Sequence, residues 1–194
     1  MEAEQARVLI ESMLSEPRYR HSLGVAETAR ELARVFGIDE EKAYLTGLLH
    51  DYAKGVSGST LLEIAAAKGL VEDDIERQAP DLLHAAVGAW MLEHELGIND
   101  ADILNAVRFH TLGDANMSVL DKIIYLADMI EPGRDYPGIE RIRCLAQRNL
   151  DTAMLAAIDT TIKYCLDHGR LIHPRGITVR NALIVSLPEN PELC

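Results

Sequence analysis

LARVFGIDEEKAYLTGLLH (residues 32–50) and MLEHELGINDADILNAVRFH (residues 91–110) align at an offset of 60, with Gly37-Ile38-Asp39 over Gly97-Ile98-Asn99 and His50 over His110. In each stretch apolar residues recur at three- and four-residue spacing on both sides of a glycine. That is the pattern of two amphipathic helices joined by a tight turn. Each hairpin has a second histidine near the start of its first helix, His21 in one and His84 in the other. Two such hairpins packed face to face bring four imidazoles to one end of a bundle, where helical folds build metal sites from facing helices. The expectation is an all-α bundle with a metal site at the ends of facing helices.

Working outward, Gly37, Gly69, Gly97 and Gly169 cut the chain at helix stops, because glycine accepts the positive φ that ends a helix. The periodicity predicts helices at about 3–15, 18–36, 39–53, 59–68, 82–96, 100–111, 118–131, 138–148 and 151–168. Asp39, Ser59, Asn99 and Ser118 are the expected N-caps. The segment ITVRNALIVSL (177–187) is open between a short helix and an extended tail, and the following Pro-Glu-Asn-Pro-Glu reads as loose. The two hairpins would not fold alone, so residues 1–194 are expected to form one domain.

Composition narrows the function. The chain has 194 residues and is 48% apolar and 26% charged, the balance of a globular protein. Its start, MEAEQARVLIESML, is acidic and amphipathic rather than basic and then apolar, and no run approaches the ~18 apolar residues of a membrane span. A cytoplasmic protein with no membrane partner is expected. The odd, widely spaced cysteines, Cys144, Cys165 and Cys194, suggest neither a disulfide framework nor a thiolate zinc site and read as reduced. A net charge of −12 argues against nucleic-acid binding. The charge is uneven: residues 134–180 hold eight Arg or Lys against five Asp or Glu, a segment where a small anion could dock or simply a solvated basic face.

The chemistry rests on an ordered set: His21, His50, Asp51, His84, His110 and Asp128. Imidazole and carboxylate together suit iron, manganese, cobalt or zinc better than calcium. Both aspartates fall near helix C-termini, where the macrodipole disfavours a carboxylate. A cation is therefore expected beside each; for Asp128 a metal would serve, and so would Arg134. A lone His-Asp dipeptide is weak, but four histidines at helix ends with a carboxylate on a late helix form a specific pattern. His94, His168 and His173 lack that placement, and His94 reads as a surface residue.

RYRHSLGVAETARELA, GLLHDYAKG, LLHAAVGAWML, HTLGDANMS, DKIIYLADMIEPGRDYPGIE and LIHPRGITVRNALI together resemble the YqeK family of the HD-domain phosphohydrolase superfamily over nearly the whole chain. The resemblance implies symmetrical hydrolysis of diadenosine tetraphosphate to two ADP, with iron or another divalent metal on the HD residues. It also implies that Arg18, Thr111, His173 and Arg180 line the nucleotide pocket. Asp114 and Ala115 depart from the basic or small polar pair expected after His-Thr-x-Gly.

Six ligands suffice for two ions, with Asp51 bridging: His21, His50 and Asp128 on one, His84 and His110 on the other. Two ions ~3.5–4 Å apart activate a shared water for in-line attack. His84 and His110 then also border the substrate. Lys54, four residues after His50, is expected to neutralise the departing diphosphate, with Arg134 supplying a phosphate fork. The structural alternatives are that Lys54 caps its helix and that Arg134 pairs with Glu131 or Asp135. Three readings stay open: this hydrolase, an HD enzyme acting on another nucleotide such as a guanosine polyphosphate or nucleoside monophosphate, and a nucleotide-binding regulatory module. The partner is a small-molecule nucleotide, and a homodimer is left open.

Overall fold

The computed structural model describes residues 1–187, and the Pro-Glu-Asn-Pro-Glu segment lies outside them. Among the described residues the architecture is all-α, with no strand. The helices are α1 (Ala3–Met13), α2 (Glu16–Phe36), α3 (Glu40–Leu49), α4 (Gly58–Lys68), α5 (Asp74–Gln78), α6 (His84–His94), α7 (Ala101–Phe109), α8 (Val119–Ile130), α9 (Ile139–Ala146), α10 (Leu150–Asp167) and α11 (Pro174–Ser186), with a 3-10 turn at Pro80–Leu83.

Both hairpins form. α2 ends at Gly37 in the left-handed conformation (φ 68°) and α3 restarts on the Asp39 cap; α6 and α7 are joined through Gly97 (φ 66°). α2 packs along α3 and α8, and α7 bridges α6 and α8. Lys42 on α3 ties the two hairpins together through Asp100 and Asp102 at 2.8 and 3.0 Å. α2 runs between two apolar clusters. Val25, Ala29 and Leu32 face α8, α9 and α10, whereas Tyr19 and Ala26 face α1, α3, α6 and α7.

The α2–α3 crossing depends on Gly47. A Cβ there would lie 2.6 Å from the Ala26 Cα and 2.9 Å from its nitrogen, so only glycine permits this backbone contact. His50 follows one turn later and His21 precedes Ala26 by five residues. The close crossing thus sets the distance between these two imidazoles.

Several local expectations are corrected. Ser57, not Ser59, caps α4, because its hydroxyl reaches the Thr60 N–H. Asp100, not Asn99, caps α7, while the Asn99 amide turns back to the Gly97 carbonyl. The helix expected over 39–53 stops at Leu49, and successive three-residue turns, Lys54 N–H to Asp51 O among them, carry the chain onward. α5 escapes the periodicity because five residues are too few to show one, although Asp73 and Glu76 form a capping box. The 177–187 segment is helical and begins earlier, with His173 as N-cap and Pro174 in the first turn, where a missing N–H is harmless. Among the described residues Cys165 is a free thiol, as expected. No helix among the described residues is long and apolar enough to cross a membrane.

Candidate metal centre

The four imidazoles stand in a row. Ring centroids are 5.3 Å apart for His21–His50, 5.0 Å for His50–His110 and 5.0 Å for His110–His84, each pair edge-on. Helix ends create the row: His50 and His110 are the C-caps of α3 and α7, and His84 opens α6. His21 comes from the second turn of α2.

Every ring is held by its Nδ1. His50 donates to the Gly47 carbonyl at 2.7 Å and His110 to the Val107 carbonyl at 2.7 Å, the same bond to the third residue back in both hairpins. His84 donates to the Asp81 carbonyl, and His21 to Glu131 Oε1 at 3.1 Å. With the proton on Nδ1, each Nε2 presents a lone pair inward. Those of His84 and His110 are 3.1 Å apart, and both are acceptors in this tautomer. The Nε2 atoms of His21 and His50 are buried without a hydrogen-bond partner among the described residues. Converging, unsatisfied lone pairs call for a cation.

Asp51 faces the whole row. Its Oδ1 is 3.3 Å from His84 Nε2 and 3.6 Å from His110 Nε2, while its Oδ2 is 3.7 Å from His50 Nε2 and 4.0 Å from His21 Nε2. Each oxygen thus serves one pair of histidines. Asp128, from the last turn of α8, places Oδ1 3.0 Å from His21 Nε2. Three overlapping groups have metal-ligand spacing: His21, His50 and Asp51; Asp51, His84 and His110; and His50, His110 and Asp128. Hard and borderline divalent ions favour this nitrogen and oxygen donor set, which contains no sulfur.

Electrostatics agree with that fit. Burial pushes His50 down to about 4 and lowers His84 as well, so the neutral, ligating imidazoles prevail near neutral pH. Burial opposes the charge on Asp51 and Asp128, yet the surrounding imidazoles hold both carboxyls well below the usual range. His21 is raised, because Asp128 and Glu131 outweigh its burial.

Cations flank the row at both ends. Lys54 Nζ lies 3.3 Å from His84 Nδ1, its ammonium depressed by burial, and Thr111 Oγ1 is 3.2 Å from both His84 and His110 Nε2. At the other end Arg134 reaches Asp128 Oδ1 through Nη2 and the Asp128 carbonyl through Nε, and Arg18 Nη1 meets Asp51 Oδ2 at 3.0 Å. Arg134 therefore pairs mainly with Asp128, at 3.9 Å from Glu131.

His173 and Arg180 are not brought into contact with this cluster. His173 caps α11 and faces the buried Glu76 at 3.5 Å, and Arg180 pairs with Asp159. The basic balance of 134–180 is likewise mostly absorbed, Arg175 by Glu72 and Lys163 by Asp167. Two participants escaped sequence reasoning. Glu131 is 5% exposed and orients His21, and Arg143 of α9 binds the carbonyls of Ile130, Glu131 and Arg134, pinning the loop that carries them. The signal for Glu131 was a carboxylate closing an apolar helix.

Comparison with known proteins agrees with this geometry. The HD domain model matches residues 18–133, which span all six candidate ligands. The chain is 40% identical over 185 residues to a symmetrical bis(5'-nucleosyl)-tetraphosphatase of Halalkalibacterium halodurans, covering 95% of this chain and 98% of that one. It is 37% identical to the same-named protein of Bacillus subtilis, again over 95% and 98%. A crystal structure of an HD superfamily hydrolase from Clostridium acetobutylicum, described as involved in NAD metabolism, superposes with a TM-score of 0.91 at 41% identity, covering 95% and 98%.

Proposed function

This chain belongs to the HD-domain family, and on that premise we propose that it is a metal-dependent hydrolase that cleaves diadenosine tetraphosphate symmetrically into two ADP. The observation that carries the proposal is Asp51, one carboxylate whose two oxygens address two pairs of inward-facing imidazoles.

His21, His50, Asp128 and Asp51 Oδ2 would hold one divalent ion, and His84, His110 and Asp51 Oδ1 a second. Iron heads the candidates, ahead of manganese, cobalt and zinc, all of which accept imidazole and carboxylate. Such ions supply Lewis-acid charge and lower the pKa of a water. The protein's own groups do the rest. The Nδ1 bonds keep the imidazoles in the ligating tautomer. Lys54 places a half-buried ammonium beside His84 and neutralises phosphate charge at that end, with the Thr111 hydroxyl next to it. Arg134 and Arg18 offer guanidinium forks at the other end. Lys54 and Arg134 thus attend different phosphates rather than the same one. His173 and Arg180 stay outside this proposal, since one caps a helix and the other closes a surface ion pair.

The test is product analysis on a panel of nucleotides with metal-loaded protein in labelled water. ADP as the sole nucleotide from diadenosine tetraphosphate, with label on one terminal phosphate, is expected. ATP together with AMP, or turnover confined to guanosine polyphosphates or monophosphates, would overturn it.

A further inference from the structure

The three carbonyls that orient imidazoles through Nδ1 do not stand on equal supports. Gly47 and Val107 are buried within α3 and α7, so His50 and His110 lean on backbone that the core already holds. Asp81, which serves His84, is exposed and lies in the four-residue 3-10 turn ahead of α6. Ala79 alone separates that turn from α5, and no residue of α5 belongs to an apolar cluster among the described residues. A helix of five residues does not hold itself together in water. The one buried residue of α5 is a carboxylate, Glu76.

Glu76 is engaged on both sides. Its Oε2 accepts the Glu72 and Asp73 N–H groups at 2.6 and 3.2 Å, and its Oε1 faces His173 Nε2 at 3.5 Å. His173 Nδ1 accepts the Arg175 N–H at 3.1 Å, which in the neutral ring leaves the proton on Nε2, on the side of Glu76. That Nε2 has no shorter contact with an acceptor among the described residues. Glu76 and His173 are 4% and 8% exposed, so water competes little for either group. A second link runs alongside, from Arg175 to Glu72. The far side of the contact is firm, because Val179 and Leu183 anchor α11 in the main apolar core.

We propose that Glu76 and His173 are positioning residues: through α5 and the 3-10 turn they fix the Asp81 carbonyl, and with it the Nδ1 bond and the aim of His84. The inference rests on the proposed two-ion reading and adds that α11 governs the occupancy of one site, that of His84, His110 and Asp51 Oδ1. The other site draws its ligands from α2, α3 and α8 and should not respond. A contact that merely stabilised α5 would instead lower the unfolding temperature and leave both ions in place.

The experiment is titration of the full chain with cobalt, followed by visible absorption and elemental analysis, for the unaltered protein, Glu76→Gln, His173→Asn and the double variant. A carboxylate has two acceptors where an amide has one, so Glu76→Gln cannot accept from the backbone and the imidazole together. His173→Asn keeps an oxygen able to cap α11 but is too short to reach Glu76, so it removes the contact and spares the helix. In each variant the affinity for one of two ions should fall about 10–100-fold, the scale of losing an outer partner of a ligating histidine, with the other ion unaffected. Excess cobalt should restore both ions. The double variant should lose no more than either single one, since both break the same contact. Two ions held at unaltered affinity, an equal loss of both ions, or a loss in one single variant alone overturns the positioning role. Fewer than two ions in the unaltered protein overturns the two-ion reading, and this inference with it.

Discussion

Glu131 Oε1 accepts the Nδ1 proton of His21 at 3.1 Å, across 110 positions of sequence, and its second oxygen is held by the Gly133 N–H. The carboxylate is boxed in: a Cβ at Gly24 would come within 2.7 Å of Oε2, and one at Gly133 within 2.9 Å. His21 thus receives the strongest orienting partner in the row, where the other three imidazoles have carbonyls. Replacing Glu131 by Gln keeps the shape and removes the charge. Metal affinity should fall about 10–100-fold, the usual effect of losing such a partner. Metal titration of the purified variant checks it, and wild-type affinity would show that the bond is incidental.

Asp51→Ala should abolish turnover and lower the metal content, since one carboxylate addresses both histidine pairs. His94→Ala should do neither, because His94 is exposed, bonded to the Trp90 carbonyl and stacked on its ring at 4.5 Å. Elemental analysis beside an activity assay separates the two. Equal losses would mean that the metal ligands are misassigned.

Gly47→Ala tests whether the helix crossing sets the site. The new methyl meets backbone rather than a flexible side chain, so α2 and α3 must move apart. A loss of about 1–3 kcal/mol is expected from overpacking. Thermal unfolding should shift down by several degrees, and metal content should fall with it, as His50 separates from His21. A stable variant with full metal content would show that the crossing tolerates expansion.

Lys54→Met should leave the metals in place, because Lys54, with its ammonium 3.3 and 3.4 Å from the two ring nitrogens of His84, is not one of the candidate ligands. Turnover of diadenosine tetraphosphate should fall about 100–1,000-fold, the scale of removing one preorganised charge or donor. Metal content and kcat measured on the same preparation decide it. A fall in metal content would instead make Lys54 a structural partner of His84.

The sequence alone determined the helical class and the paired hairpins, and it singled out His21, His50, Asp51, His84, His110 and Asp128 as candidates, which the structure brings into one cluster. These are local matters: apolar period, glycine stops and caps are written within a few residues, and the hairpin repeat placed His50 and His110 at equivalent helix ends. Local reading failed where the signal was short or shared. α5 has five residues, and Ser57 and Ser59, or Asn99 and Asp100, differ only in which side chain reaches an N–H. Tertiary structure decided the order of the imidazoles, the separation of Lys54 from Arg134, the support of His21 by Glu131, and the grip of Arg143 on the loop beyond α8. It also left His173 and Arg180 away from the cluster. Each of these depends on how α2, α8 and α9 pack, and contacts between residues far apart in the chain leave no period for a linear pattern to reveal.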